Sequence, residues 1–386
     1  MLVERRPPSC THTHQTNDPT HQPTGHTMTL KNLQKAPFPW WGGKSKAAPL
    51  VWSLLGDVAH YVEPFAGSLA VLLNRPHTPN TGCAETVNDL DGLIVNAWRA
   101  IQWHPEETAA HASWPVSELD KMAREIALVR WREDGLAAKL GGTAEWCDPK
   151  MAGWWLWGVC VSIMPFGGAG PWTADNTGRL RKIDRKVEGK SEQGVSGSIC
   201  NIANDRGHLT PAAWEQGVAA ENGEYHPHTM PEVIRWFDWL SARLRHVRIL
   251  YGDWSRLVTD GASKTLAVRA GAGPVGLFLD PPYADTADRK NGVYATDDLT
   301  VAHDVRQWCI RNGADSERRI VFACYESEHG TALAEHGWTE HEWHTTGFTG
   351  SGGQFSGQQH RERLWASPHC LNPAQQPAHT QGDLFA

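Results

Sequence analysis

The sequence has no run of about 18 consecutive apolar residues, the length a helix needs to cross a bilayer. Its polar start also lacks the apolar stretch of a secretion signal. Both absences lead us to expect a soluble, intracellular protein. Paired cysteines are missing too. The eight cysteines, Cys10, Cys83, Cys147, Cys160, Cys200, Cys309, Cys324 and Cys370, are scattered. No Cys-x-x-Cys spacing offers a zinc cage, so we expect reduced, structural thiols and no metal. Positive charge is in deficit: 36 Lys and Arg against 43 Asp and Glu leave a net −7. An evenly acidic surface repels phosphate, so a nucleic-acid partner would have to be met by local clusters of cations. Two such clusters exist, RLRKIDRKVEGK at 179–190 and RWFDWLSARLRHVR at 235–248. Either could equally be a solvated face.

A chain of 386 residues is long enough to bury a full α/β core and to carry a smaller second module. Residues 1–35 show no apolar periodicity and read as a disordered extension, within which Met28 is an alternative start. A Pro- and Gly-containing loop then leads into a helix with Leu50, Leu54 and Leu55 on one face. Next comes a βα unit, with a strand to Glu63, a turn through Pro64 to Gly67, and a helix. A second βα unit has its strand ending at Asn88 and Asp89 and its helix carrying Leu93, Ile94, Ala97, Trp98 and Ile101. Residues 105–230 are less regular, with a helix expected over 117–140 followed by a stretch rich in Gly, Trp and Arg. They read as an inserted domain. Most of the twenty tryptophans, among them Trp154, Trp155, Trp157 and Trp172, read as core. Beyond the insertion come a helix over 231–244, the strand VRILYGDW, the apolar strand Val275 to Leu279, a helix near 301–309 and the strands RRIVFACY and HRERLWAS. Alternation of this kind builds a mainly parallel, Rossmann-like sheet whose functional groups collect at the strand C-termini. Residues 36–104 and 231–370 would form this catalytic domain, and residues 371–386 a flexible tail.

Asp280-Pro281-Pro282-Tyr283 follows the most apolar strand directly. An aromatic amine is a poor nucleophile because its lone pair is delocalised, so an enzyme that alkylates it must hold it while it pyramidalises. Asp280 and the Pro281 carbonyl can each accept a hydrogen bond from the amine, and two prolines keep both acceptors aimed. Tyr283 offers a face for stacking an extruded base. The alternative is a Pro-rich turn with Tyr283 packed inward. At the end of the first strand, Glu63-Pro64-Phe65-Ala66-Gly67-Ser68 places an acid and a tight turn where a ligand can approach the backbone. Asp89, at the end of the next strand, suits a ribose hydroxyl, although a helix cap is an equal alternative.

In that order, PFPWWGGKSK, EPFAGS, VNDLDGL, YGDW and LDPPY resemble the Dam-like, D12-class adenine-specific DNA methyltransferases, including orphan enzymes of bacteriophages and prophages. The resemblance covers most of residues 37–370, loosely over 105–230, and implies a Rossmann-like methyltransferase sheet interrupted by a target-recognition domain. It further implies S-adenosyl-L-methionine as methyl donor, double-stranded DNA as partner and the cytoplasm of a bacterial or phage-infected cell as location. By position, Trp40 and Lys44 match residues that contact the cofactor, with Gly42 and Gly43 shaping the loop between them. Glu63, Pro64, Phe65 and Gly67 match the cradle of the methionine moiety. Asp89 matches the ribose-binding acid, Asp253 the acid near the cofactor adenine, and Asp280, Pro281, Pro282 and Tyr283 the catalytic loop. One departure stands out: Leu69 occupies a position where many relatives have a second glycine.

The resemblance implies direct methyl transfer to the N6 amine of a flipped adenine, with no metal. Charge and position suggest Arg179, Arg181, Lys182, Arg185 and Lys186 as DNA contacts. The tail ends in Gln381-Gly382-Asp383-Leu384-Phe385, which looks like the short peptide by which replication and repair proteins dock on the bacterial sliding clamp. Three alternatives stay open: the exocyclic amine of cytosine, where Ser more often replaces the Asp of the loop; an RNA or protein amide, usually with Asn there; and a non-catalytic DNA-binding or clamp-recruited protein.

Overall fold

A computed structural model describes residues 35–40, 43–76, 83–114, 117–162, 172–174, 180–182, 230–270, 273–282, 300–325, 332–343 and 362–372. Nine strands lie among them: β1 His60–Glu63, β2 Ala84–Asp89, β3 Trp172–Ala174, β4 Leu180–Lys182, β5 Val247–Tyr251, β6 Val275–Leu279, β7 Arg318–Tyr325, β8 Thr339–Glu342 and β9 Glu362–Ala366. The helices are α1 Ala48–Leu55, α2 Ala70–Leu73, α3 Gly92–Trp103, α4 Pro105–Ala112, α5 Glu118–Trp131, α6 Ala137–Gly142, α7 Pro149–Val161, α8 Met230–Leu244, α9 Asp260–Arg269 and α10 Val301–Asn312. None of the described helices is long and apolar enough to cross a membrane.

Seven strands form one sheet in the order β5-β2-β1-β6-β7-β9-β8. Neighbours from β5 to β7 are parallel, while β9 runs antiparallel to both β7 and β8. From β1 the chain winds outward through β2 to β5, then returns to the other side of β1 for β6 and β7. The topological switch point therefore lies between β1 and β6, where an open α/β sheet leaves a crevice above its strand C-termini. β3 and β4 make a separate antiparallel hairpin in which Thr173 faces Arg181.

Alternation along the strands builds two cores. Tyr61, Phe278, Val321, Ala323 and Leu364 point to one face, where they join residues of α1, α3 and α8. Val62, Leu277, Leu279, Ile320, Phe322 and Trp365 point to the other, with Ala267 of α9 and Val305 and Cys309 of α10. A period of two in β-structure sends successive side chains to opposite faces, so strands apolar at every position are covered on both sides. The mixed α/β, mainly parallel architecture expected from the sequence is present.

Several local expectations need correction. The helix expected over 117–140 is broken: α5 stops at Trp131, a wide turn spans Arg132–Leu136, and Gly135 at φ 88° separates it from α6. A left-handed glycine interrupts the helical ladder, and side-chain periodicity alone did not reveal the break. Residues 105–161 are also more regular than their composition suggested, because α4 and the Trp-rich α7 are helices started by Pro at the first turn. Proline suits that position, where its missing N–H costs nothing. Residues from α4 to α7 share the core that α3 builds against the sheet. Arg124 of α5 is buried among Trp114, Trp154 and Trp157, with its guanidinium carbon 4.3 Å from the Trp157 ring centre. Both α9 and the exposed strand β8 escaped sequence reading, since neither carries a clear apolar stripe.

Candidate functional site

Four neighbouring strands each deliver an acid to the C-terminal edge of the sheet. In the order β5, β2, β1, β6 these are Asp253, Asp89, Glu63 and Asp280. At about 4.8 Å between strands, they border roughly 14 Å of edge that reaches across the switch point between β1 and β6. Register staggers them: Glu63 lies opposite Val87, two residues short of Asp89, and Asp89 opposite Tyr251, two short of Asp253.

The turn after β1 is held in place by the end of β2. Asp89 Oδ2 accepts the Gly67 amide at 2.9 Å and its Oδ1 accepts the Asp91 amide at 2.8 Å. Asn88, buried beside it, donates from Nδ2 to the Pro64 carbonyl at 3.1 Å and to the Gly252 carbonyl at 2.8 Å. One amide group thus binds the loops that follow β1 and β5. Backbone bonds from Ala66 N to Asn88 O and from Gly252 N to Asp89 O complete the staple. Sequence reading passed over Asn88; its signal was a second polar residue closing an apolar strand, where a buried amide must find partners. Removal from water pushes the Asp89 carboxyl up to about 6 despite these backbone donors.

Gly67 has φ 45°, and a Cβ there would lie 2.5 Å from Trp40 Nε1. The indole of Trp40 therefore occupies space that only glycine leaves open. Its loop is anchored by Phe38, fully buried between Trp98 of α3 and Trp155 of α7 with centroids 5.4 and 5.1 Å away. Trp98 also donates to the Gly67 carbonyl at 2.9 Å. Two residues on, Leu69 adopts φ 53°, ψ 27° and is completely buried. Among the described residues it is the one non-glycine with positive φ. The turn thus keeps the left-handed geometry that glycine makes easy, and the buried leucyl side chain offsets the strain.

Glu63, with 2% exposure, accepts the Tyr61 hydroxyl at 3.0 Å. Burial pushes its carboxyl up to about 8, with the Asp280 charge adding to the rise against the Tyr61 hydrogen bond. Asp280 stands one residue past β6, with Pro281 buried behind it. Its Oδ2 meets Lys44 Nζ at 3.0 Å, and the same ammonium lies 3.8 Å from Glu362 Oε2 and 5.9 Å from the Trp343 ring centre. Desolvation moves the Asp280 carboxyl up to about 6; Lys44 pulls it down and Glu362 pushes it up. Lys44, expected to touch the cofactor, is thus found on the carboxylate of the Asp-Pro-Pro turn. Glu362, in the strand HRERLWAS, was not singled out in the sequence because the charged groups it meets, Lys44 and Asp280, lie more than 80 positions away.

Asp253 is exposed and caps a short 3₁₀ turn, its Oδ1 accepting Ser255 N at 2.9 Å. Behind it an aromatic wall runs from Phe65 to Trp254, 6.1 Å apart and tilted by 30°, and on to Trp308 at 6.5 Å. Gly43 closes its turn with a 3.4 Å bond to the Trp40 carbonyl. The structure thus groups Trp40, Gly43, Lys44, Glu63, Pro64, Phe65, Gly67, Asp89, Asp253, Asp280, Pro281 and Pro282 along one edge. Gly42, Tyr283, Arg179, Arg185, Lys186 and the 381–385 peptide lie outside the described residues. Arg181 and Lys182 are described by backbone only, on β4. Among the described residues, no group of three His, Cys, Asp or Glu side chains could hold a metal.

Residues 40–122 match the model of the family described as D12 class N6 adenine-specific DNA methyltransferase. That stretch holds the Trp40 loop, the turn from Glu63 to Leu69 and the Asn88-Asp89 staple, while Asp253 and Asp280 lie beyond it. No curated protein matches the chain. Over that stretch, carried on the Rossmann-like sheet, the chain is similar to the D12 class N6 adenine-specific DNA methyltransferases.

Proposed function

We propose that the protein transfers a methyl group from S-adenosyl-L-methionine to the N6 amine of an adenine extruded from double-stranded DNA. The observation that carries this reading is the single edge on which Asp253, Asp89, Glu63 and Asp280 follow one another across the switch point. The chemistry of these acceptors suits the cofactor: Asp89 for ribose hydroxyls, Asp253 for the adenine end, and Glu63 with Pro64, Phe65 and Gly67 for the methionine end, under Trp40. When bound, the cofactor supplies an electrophilic sulfonium methyl.

The chain's own residues then have the following tasks. Ionised Asp280 and the Pro281 carbonyl accept the two amine hydrogens, which localises the lone pair and orients it. Pro281 and Pro282 fix the backbone so that neither acceptor has to reorganise. Tyr283 stacks on the extruded base. Residues 105–230 form the target-recognition segment, with the β3–β4 hairpin and the cations Arg179, Arg181, Lys182, Arg185 and Lys186 against the phosphates. The Gln381–Phe385 peptide tethers the enzyme to the sliding clamp; a pull-down that captures equal clamp with and without the last six residues rules that out.

The test of the catalytic assignment is D280A. Methyl transfer to plasmid DNA should vanish while calorimetric binding of S-adenosyl-L-methionine persists, and mass spectrometry of digested product DNA should identify N6-methyladenine with the wild type. Full activity in D280A, or a methylated cytosine, overturns the reading.

A further inference from the structure

We infer that Glu362 is a positioning residue for methyl transfer: it shares the Lys44 ammonium with Asp280 and so sets how readily Asp280 turns to the target amine. This rests on the reading of Asp280 as the amine's acceptor.

The geometry is a three-group cluster drawn from distant parts of the chain. Lys44, 3% exposed, comes from the loop before α1; Asp280, 20% exposed, from the end of β6; Glu362, 12% exposed, from the first position of β9. β9 is the antiparallel strand inserted beside β7, where Glu362 lies opposite Tyr325. A poorly solvated ammonium is costly to leave without a counter-charge. If Asp280 were its sole counter-charge, each adenine that engaged Asp280 would strand Lys44. Glu362, at 3.8 Å against 3.0 Å for Asp280, is one short side-chain movement from taking over the ammonium. Asp280 can therefore exchange a lysine donor for an amine donor while the Lys44 ammonium keeps a carboxylate beside it.

The same placement links Glu362 to the protonation of Asp280. The charged groups that face Asp280 are Lys44, Glu362 and, across from β1, Glu63. Lys44 favours the ionised form of Asp280 and Glu362 disfavours it. Asp280 accepts one of the two amine hydrogens and its ionised form is much the stronger acceptor, so activity should fall on the acid side as Asp280 is protonated.

The experiment is the pH profile of kcat on plasmid DNA with saturating S-adenosyl-L-methionine, for wild type, E362Q, E362D and K44Q. E362Q should move the acid limb to lower pH by roughly 0.5 or more and depress kcat while leaving the KM for S-adenosyl-L-methionine near wild type. E362D should restore the wild-type limb. K44Q should move the limb upward, which keeps the inference testable if circular dichroism shows E362Q to be unfolded. A folded E362Q whose acid limb coincides with that of wild type overturns the inference, as does an unmoved limb in K44Q. An active D280A would instead sink the acceptor reading, and the two failures are distinguishable.

Discussion

The Gly67 amide donates to the Asp89 carboxylate at 2.9 Å, and this bond ties the turn after β1 to the end of β2. It makes the site a product of two adjacent strands rather than of one motif. Trp40 Nε1 would sit 2.5 Å from a Cβ at Gly67, so a third segment rests on the same turn.

Substitutions at this junction should therefore separate loop geometry from charge. Gly67→Ala must displace the Trp40 indole and strain φ 45°, and we expect S-adenosyl-L-methionine binding to weaken by roughly tenfold or more, about 1.4 kcal/mol. Asp89→Ala leaves the Gly67 and Asp91 amides without their acceptor, at a cost of about 1–3 kcal/mol in stability. Asp89→Asn retains one acceptor and should lose less stability but comparable cofactor affinity. Calorimetry and chemical unfolding read both quantities; wild-type binding by Gly67→Ala would refute the close approach of Trp40.

Leu69 gives a prediction whose sign is unusual. Truncating a buried leucine to alanine costs about 2–5 kcal/mol, and glycine is ordinarily worse than alanine by about 0.5–1 kcal/mol. At φ 53° the Cβ itself is a source of strain worth roughly 1–2 kcal/mol. L69G should therefore be as stable as L69A or more so in urea unfolding. A glycine variant about 1 kcal/mol less stable than the alanine variant would show that no strain is present.

Stability should depend on pH through the same edge. Glu63 is raised to about 8 and Asp89 and Asp280 to about 6, burial leading in each case. A folded-state pKa above its ordinary value means that the native protein holds a proton the unfolded chain has released. The contribution is thus fully present below the ordinary carboxyl range and is lost as pH rises through 6 for the aspartates and 8 for Glu63. The ligand-free protein should melt at a lower temperature at pH 8 than at pH 5, and E63Q should flatten the upper part of that decline. Equal slopes for wild type and E63Q between pH 6 and 8 would contradict the buried, protonated Glu63.

Much of the site could be read before folding. The strand before Glu63, the strand before Asp280 and the polar pair Asn88-Asp89 are local patterns, and chain order alone predicted a parallel sheet with its acids at one edge. Leu69 was recognised as a departure, yet only its backbone angles showed that the turn survives without glycine. Asp253 was read as a ligand contact, and the fold gives it a local task as well, the cap of a 3₁₀ turn.

What the sequence determined by itself is whatever depends on neighbours a few residues apart: the apolar strands, the Pro-fixed Asp280 turn, the glycine turn after Glu63 and the absence of a long apolar helix among the elements described. Tertiary structure alone decided the Lys44, Asp280 and Glu362 cluster, the Asn88 staple across two loops and the seat of Trp40 on Gly67. These contacts join positions from 24 to more than 300 residues apart, and their partners are chosen by strand order and register. A periodicity of two or of 3.6 fixes which face a side chain occupies, while the residue it meets there is fixed only when the sheet closes around the switch point.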